Sequence, residues 1–103
     1  MAKKQFNIKA IITDKRGRVL SIGENSYVKT HPMMFKLSEK CGIPHKHYLH
    51  AEVHAILRCR DLSKAHKISV YRFDANGNPA NAKPCPICAT AIQEAGIKLI
   101  EHT

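Results

Sequence analysis

Cys85 and Cys88 stand in "PCPIC", residues 84 to 88, a CxxC pair with a proline on either side of its first cysteine. The spacing and Pro86 place the pair at the start of a helix. There, unpaired N–H groups and the helix dipole favour the thiolate, the form of cysteine that binds zinc. On its own the pair fits a redox motif as well as half of a zinc site. Upstream, "YLHAEVHAIL", residues 48 to 57, carries His50, Glu52 and His54. A zinc ion held by one imidazole and two thiolates keeps a fourth position for water, and a carboxylate beside it can take the proton that water loses. His50, at the start of a second buried helix, is the best third ligand, and Glu52 is the carboxylate two residues on. The combination would be hydrolytic.

Other metal readings use the same residues less well. His50 and His54 have the i, i+4 spacing of zincin proteases, but those need H-E-x-x-H and this chain has H-A-E-V-H. A closed Cys2His2 site using both histidines would leave Glu52 without a task. His45 and His47, in "HKHYLH", read as exposed loop histidines.

The elements that must carry these residues follow from periodicity. In residues 6 to 13, Phe6, Ile8, Ala10 and Ile12 alternate as in a half-buried strand, and "DKRGR" turns the chain into a returning strand, "VLSIG". Pro32 opens a short helix with Met33, Met34, Leu37 and Cys41 at helical spacing, closed by Gly42 and Pro44. A helix over about 50 to 60 has one stripe of Leu49, Val53, Ile56 and Leu57 and a second of Ala51, Ala55 and Cys59, so it can be covered on two sides. "HKISVYRF" reads as an interior strand covered on both faces, Ile68 and Val70 on one and Tyr71 and Phe73 on the other. Turn residues fill 74 to 79, a helix over about 86 to 95 ends at Gly96, and "IKLIE" is a last strand. The order is β-β-α-α-β-α-β, an α/β layered fold with a mixed sheet. Its last two strands are parallel, because a helix crosses between them.

Length and composition agree with one domain over residues 1–103: 44% of residues are hydrophobic and 24% charged, as in an ordinary globular protein. Neither a signal peptide nor a membrane span is legible, so a soluble, cytoplasmic protein is expected, with thiols rather than disulfides. Seventeen Lys and Arg against eight Asp and Glu give a formal charge of +9, which favours an anionic partner. Much of the excess sits in the first 18 residues, on Lys3, Lys4, Lys9, Lys15, Arg16 and Arg18.

"HAE" at 50 to 52 followed by "PCPIC" at 84 to 88 resembles the H-x-E and P-C-x-x-C signature of zinc-dependent nucleobase deaminases. The chain looks like a member of the cytidine deaminase-like superfamily, in the histidine-ligand branch that includes deoxycytidylate deaminases, and the element order extends the likeness from residue 6 to 101. The resemblance implies that His50, Cys85 and Cys88 bind Zn2+ and that Glu52 shuttles protons from water to the ring nitrogen and then to the leaving amine. It also implies that the Ala51 N–H meets the base carbonyl and that Asn25, after the second strand, bonds the sugar or base. His54 departs from the asparagine common in deoxycytidylate deaminases, and either orients the metal ligands or fills the core.

The resemblance leaves the substrate open. Single-strand binders stack bases on aromatic side chains. Of the three Phe and three Tyr here, only Tyr27 and Tyr48 read as free to face a ligand. A small nucleotide, dCMP first, is therefore expected, with Lys29, His31, Lys46 or His47 near its phosphate. A polynucleotide substrate stays open through the charge, as does a non-catalytic zinc-stabilised nucleic-acid-binding module, although such a module would have no need of Glu52. The chain is reduced in length relative to the usual pattern of the superfamily, with no helix before the first strand, which predicts an uncovered sheet face and a homo-oligomer.

Overall fold

A computed structural model describes residues 7–26, 31–40, 42 and 49–103, apart from the side chains of Phe35 and Ser38. The N-terminal lysines Lys3 and Lys4, Phe6, Tyr27, Lys29, Cys41, Pro44, His45, Lys46, His47 and Tyr48 lie outside the described residues.

Strands β1 (Asn7–Thr13) and β2 (Val19–Glu24) form the antiparallel hairpin that the alternation and the "DKRGR" turn require. In that turn the Asp14 carboxylate accepts the N–H groups of Arg16 and Arg18, each at 2.9 Å. Helix α1 (Pro32–Lys40) follows, then α2 (Ala51–Arg58), a single 3-10 turn at Leu62–Lys64, and β3 (Lys67–Phe73). A two-residue strand β4 (Pro79–Ala80), helix α3 (Pro86–Glu94) and β5 (Leu99–His102) complete the chain. The sheet runs β2-β1-β3, with β4 antiparallel and β5 parallel on the remaining edge of β3. The fold is thus the expected mixed α/β layer structure, and α3 makes the crossover to the parallel strand. The addition is β4: residues 74 to 79 form a hairpin turn, and the chain returns far enough to pair Pro79 and Ala80 with Phe73 and Arg72.

One sheet face carries Ala10, Ile12, Ile68 and Val70, all at most 1% exposed. Helix α2 packs on β2, β1 and β3, α3 packs against α2, and α1 against α3. A Lys40–Glu94 ion pair ties α1 to α3. The seat of α2 is unusually close. A Cβ built on Gly23 of β2 would lie 2.3 Å from both the Ala51 carbonyl oxygen and the Ala55 nitrogen. The small-residue stripe of α2 therefore lies directly on the strand, and the Ser21 hydroxyl donates to the Ala55 carbonyl at 2.8 Å from the same surface.

The opposite face departs from the reading of β3 as covered on both sides, and is the uncovered sheet face that the sequence also predicts. β3 is interior in the sheet, but Tyr71 is 38% exposed, and Ile22 and Leu99, on the same face by register, are 40% and 50% exposed. Among the described residues all three helices stack on the other side, so the second face of β3 has no helical cover. No helix in the described residues is long and apolar enough to cross a membrane.

Candidate metal centre

Helices α2 and α3 begin at the same end of the molecule, and each presents its N-cap residue to the other. His50 is the N-cap of α2, in extended conformation, and its side chain makes no capping hydrogen bond. Its ring is turned to α3 instead: Nδ1 lies 3.1 Å from the Cys88 Sγ and 3.5 Å from the Cys85 Sγ. Cys85 is the N-cap of α3, with Pro86 at the first helical position, where a missing N–H costs nothing. Cys88, one turn in, is fully buried. The three ligand atoms lie within 4.8 Å of one another, and among the described residues they are the one such group of histidine, cysteine or carboxylate ligands.

The donor set fits zinc. Bonds of about 2.3 Å to sulfur and 2.0 Å to nitrogen at tetrahedral angles put nitrogen and sulfur about 3.5 Å apart; the observed separations are 3.1 and 3.5 Å. The ligating nitrogen would be Nδ1. The electrostatics are those of thiols poised for a cation. The hydrogen bond from the Cys88 thiol, then burial working against it and the His50 ring working with it, bring the Cys85 thiol down to about 3. The Cys88 thiol moves up, because it donates that hydrogen bond and is buried beside Glu52. The two sulfurs act as one pair sharing a proton, which rests on Cys88.

Zn2+ must displace that proton, so binding releases about one proton and the apparent affinity rises with pH while Cys88 stays protonated in the metal-free protein. Competition against a chromophoric chelator measures the slope. A pH-independent affinity would contradict the shared proton.

Glu52 sits in the first turn of α2, 6% exposed. Burial raises its carboxyl above the ordinary 4.5, against the opposing effects of its own backbone N–H, the Cys88 thiol and the His50 ring. A helix N-terminus favours a carboxylate, but desolvation wins here. Ala51, 1% exposed, is the first residue of the helix, where backbone N–H groups have no intrahelical acceptor.

Asn25 lies just past β2. The Ser26 N–H donates to the Leu49 carbonyl at 2.9 Å, which holds the Asn25 loop beside the start of α2. The Asn25 Oδ1 accepts the Ile8 N–H at 2.9 Å and its own N–H donates to the Ile8 carbonyl. Its carboxamide oxygen is thus engaged by β1. Asn25 also lines a cavity of about 390 Å³ with Lys9, Tyr71 and Phe73, to which none of His50, Glu52, Cys85 and Cys88 contributes. The sequence places both aromatics in the core; the bare face of β3 leaves Tyr71 exposed and Phe73 half-buried. His54 is not part of the ligand group. Its Nδ1 accepts the Glu24 N–H at 3.1 Å, joining α2 to the end of β2. The His31 Nδ1 likewise accepts the Met33 N–H at the head of α1.

Residues 1–101 match the family described as the cytidine and deoxycytidylate deaminase zinc-binding region. The chain belongs to this family. It is a zinc-dependent deaminase by that membership, and Zn2+ is the metal its ligand group is suited to hold. Among solved structures it is similar to a glutamate-to-glutamine mutant of cytidine deaminase from Mycobacterium tuberculosis, with 22% identity and a TM-score of 0.53 over 95% of this chain and 68% of that one. That likeness is one of fold. No curated protein matches the chain.

Proposed function

We propose that this deaminase acts on the base of a small cytosine nucleotide or nucleoside, with dCMP converted to dUMP as the leading reaction, and that His50, Cys85 and Cys88 hold its zinc. The observation that carries the proposal is the placement of Glu52: a buried carboxylate two residues from His50, in hydrogen-bonding reach of Cys88, and raised toward neutrality. A structural zinc site needs no such group, and an uncompensated buried carboxylate is a burden on stability.

Zn2+ held by His50, Cys85 and Cys88 would supply positive charge and make water acidic enough to ionise near neutral pH. Glu52 accepts a proton at its carboxylate, passes it to the ring nitrogen, and later delivers a proton to the departing amine. Water thereby adds, the C–N bond breaks, and ammonia leaves a keto base. A carboxyl with raised pKa suits this exchange, since a proton shuttle works best when its own affinity lies near the working pH. In this reading the Ala51 N–H, at the positive end of α2, holds the base carbonyl oxygen.

The test is ammonia release by the zinc-loaded protein from cytosine, adenine and guanine nucleosides, nucleotides and oligonucleotides. The proposal expects dCMP to have the highest kcat/KM. Faster turnover of an oligonucleotide would move the substrate to the polynucleotide class, and absence of turnover on every substrate would overturn the reading. We also take the bare face bearing Ile22, Tyr71 and Leu99 as a self-association surface; light scattering should then give a mass above the 11.6 kDa of one chain.

A further inference from the structure

Three connections that are distant in sequence meet at the end of the sheet remote from the metal ligands. The β1–β2 turn brings Lys15, Arg16 and Arg18, the segment between α2 and β3 brings Lys64 and His66, and the α3–β5 loop brings Lys98. They surround an open cavity of about 580 Å³, within the range of about 300–1,000 Å³ usual for small-ligand sites. The walls are pinned by backbone hydrogen bonds, from the His66 N–H to the Thr13 carbonyl at 2.9 Å and from the Leu99 N–H to the His66 carbonyl at 3.2 Å.

The charge of this cavity is one-sided. Five Lys and Arg side chains line it against the carboxylate of Asp14, and that carboxylate is committed: one oxygen holds the turn together and the other lies 3.4 Å from the Arg18 Nε. Asp61 and Glu94, each next in the chain to a lining residue, are engaged elsewhere: Asp61 accepts the N–H and hydroxyl of Ser63, and Glu94 pairs with Lys40. Among the described residues no ion pair engages Lys15, Arg16, Lys64 or Lys98. Gathering like charges within a Debye length of one another is unfavourable unless an anion joins them.

We propose that this cavity is a second ligand site, for a compact polyphosphate group of two or more linked phosphates. Arginine forks and lysine ammonium groups converging from three sides suit phosphate oxygens spread over several directions. A single-stranded nucleic acid would use aromatic platforms, and the lining contains no aromatic side chain apart from the His66 imidazole. Nor does the cavity serve the phosphate of a substrate at the metal. Cys85 begins α3 and Gly96 follows its end, so the two sites are separated by a nine-residue helix, about 14 Å along its axis.

The test is titration of the zinc-loaded protein with inorganic tripolyphosphate at physiological salt, read by amide chemical shifts, with a single-stranded oligonucleotide in parallel. Saturable shifts should appear at residues 14–18, 63–66 and 96–98, while those at 50–52 and 85–88 stay in place, which also shows that the zinc has not been extracted. The Arg16→Glu/Lys98→Glu protein should bind at least about tenfold more weakly. The milder Lys64→Gln/Lys98→Gln protein, matched to wild type in thermal melting, should also bind more weakly. Equal binding by the folded variants, shifts confined to the metal end, or binding of the oligonucleotide without tripolyphosphate would each overturn the assignment. The readout involves no turnover, so it stands or falls separately from the proposed deamination.

Discussion

Glu52→Gln should lower kcat/KM on the best substrate by about 10²- to 10⁴-fold, the span of a lost general acid–base group, while the protein still holds one zinc per chain. The amide keeps the shape of the side chain and its place in the first turn of α2, but can neither accept nor return a proton. Zinc content by metal analysis separates this loss from a collapsed site, because Glu52 is not among the proposed ligands His50, Cys85 and Cys88. A variant that retains its zinc and most of its activity would rule Glu52 out as the shuttle.

The same substitution has an opposite effect on stability. The folded-state pKa of Glu52 lies above its ordinary 4.5 because burial disfavours the carboxylate. In the window between those two values the folded protein holds a proton that the unfolded chain has lost, so stability falls as pH rises through it. Below pH 4.5 both states are protonated and the penalty is absent. At pH 7 the metal-free Glu52→Gln protein should therefore melt above metal-free wild type, and the two should converge in acid. A residue that weakens the fold and supports the reaction is what a functional site looks like in physical terms.

How much of this could be read from the residues depends on what kind of fact each one encodes. The strands, the helices and the parallel last strand follow from periodicity and Gly/Pro punctuation, which are local. The two halves of the metal centre were legible because each N-cap is marked in its own segment, His50 before Ala51 and Cys85 before Pro86. What sequence could not supply is the choice of Nδ1 as the facing nitrogen, which depends on how α2 and α3 sit together, or which face of the sheet is the uncovered one, since the alternation in β3 reads Tyr71 as covered. Asn25 is a similar case: its motif position suggests a ligand contact, and only the structure shows that its Oδ1 also accepts the Ile8 N–H and so ties the loop to β1. The basic cavity was visible only as scattered charge, since Arg16, Lys64 and Lys98 are brought together by three separate connections.

Gly23→Ala should be among the most destabilising single changes, by about 3 kcal/mol and thus about 10–20 °C in Tm for a domain of this size. The reason is space rather than backbone freedom. The new methyl would sit 2.3 Å from the Ala51 oxygen and the Ala55 nitrogen and 2.8 Å from the Ala55 Cα, all main-chain atoms that no rotamer change can move. Relief requires α2 to lift from β2, which breaks the Ser21 to Ala55 hydrogen bond and displaces His50 and Glu52 from the cysteines of α3. Zinc affinity should therefore fall together with Tm, although Gly23 touches no metal ligand. Gly77→Ala is the control: Gly77 has φ +82° and nothing within 4 Å of a built Cβ, so its cost should be the ordinary 1–2 kcal/mol or so of a left-handed residue, with zinc binding unchanged. The pair separates a strained turn from a blocked helix seat. If Gly23→Ala melted and bound zinc like wild type, α2 would have to be seated on the sheet in some other way.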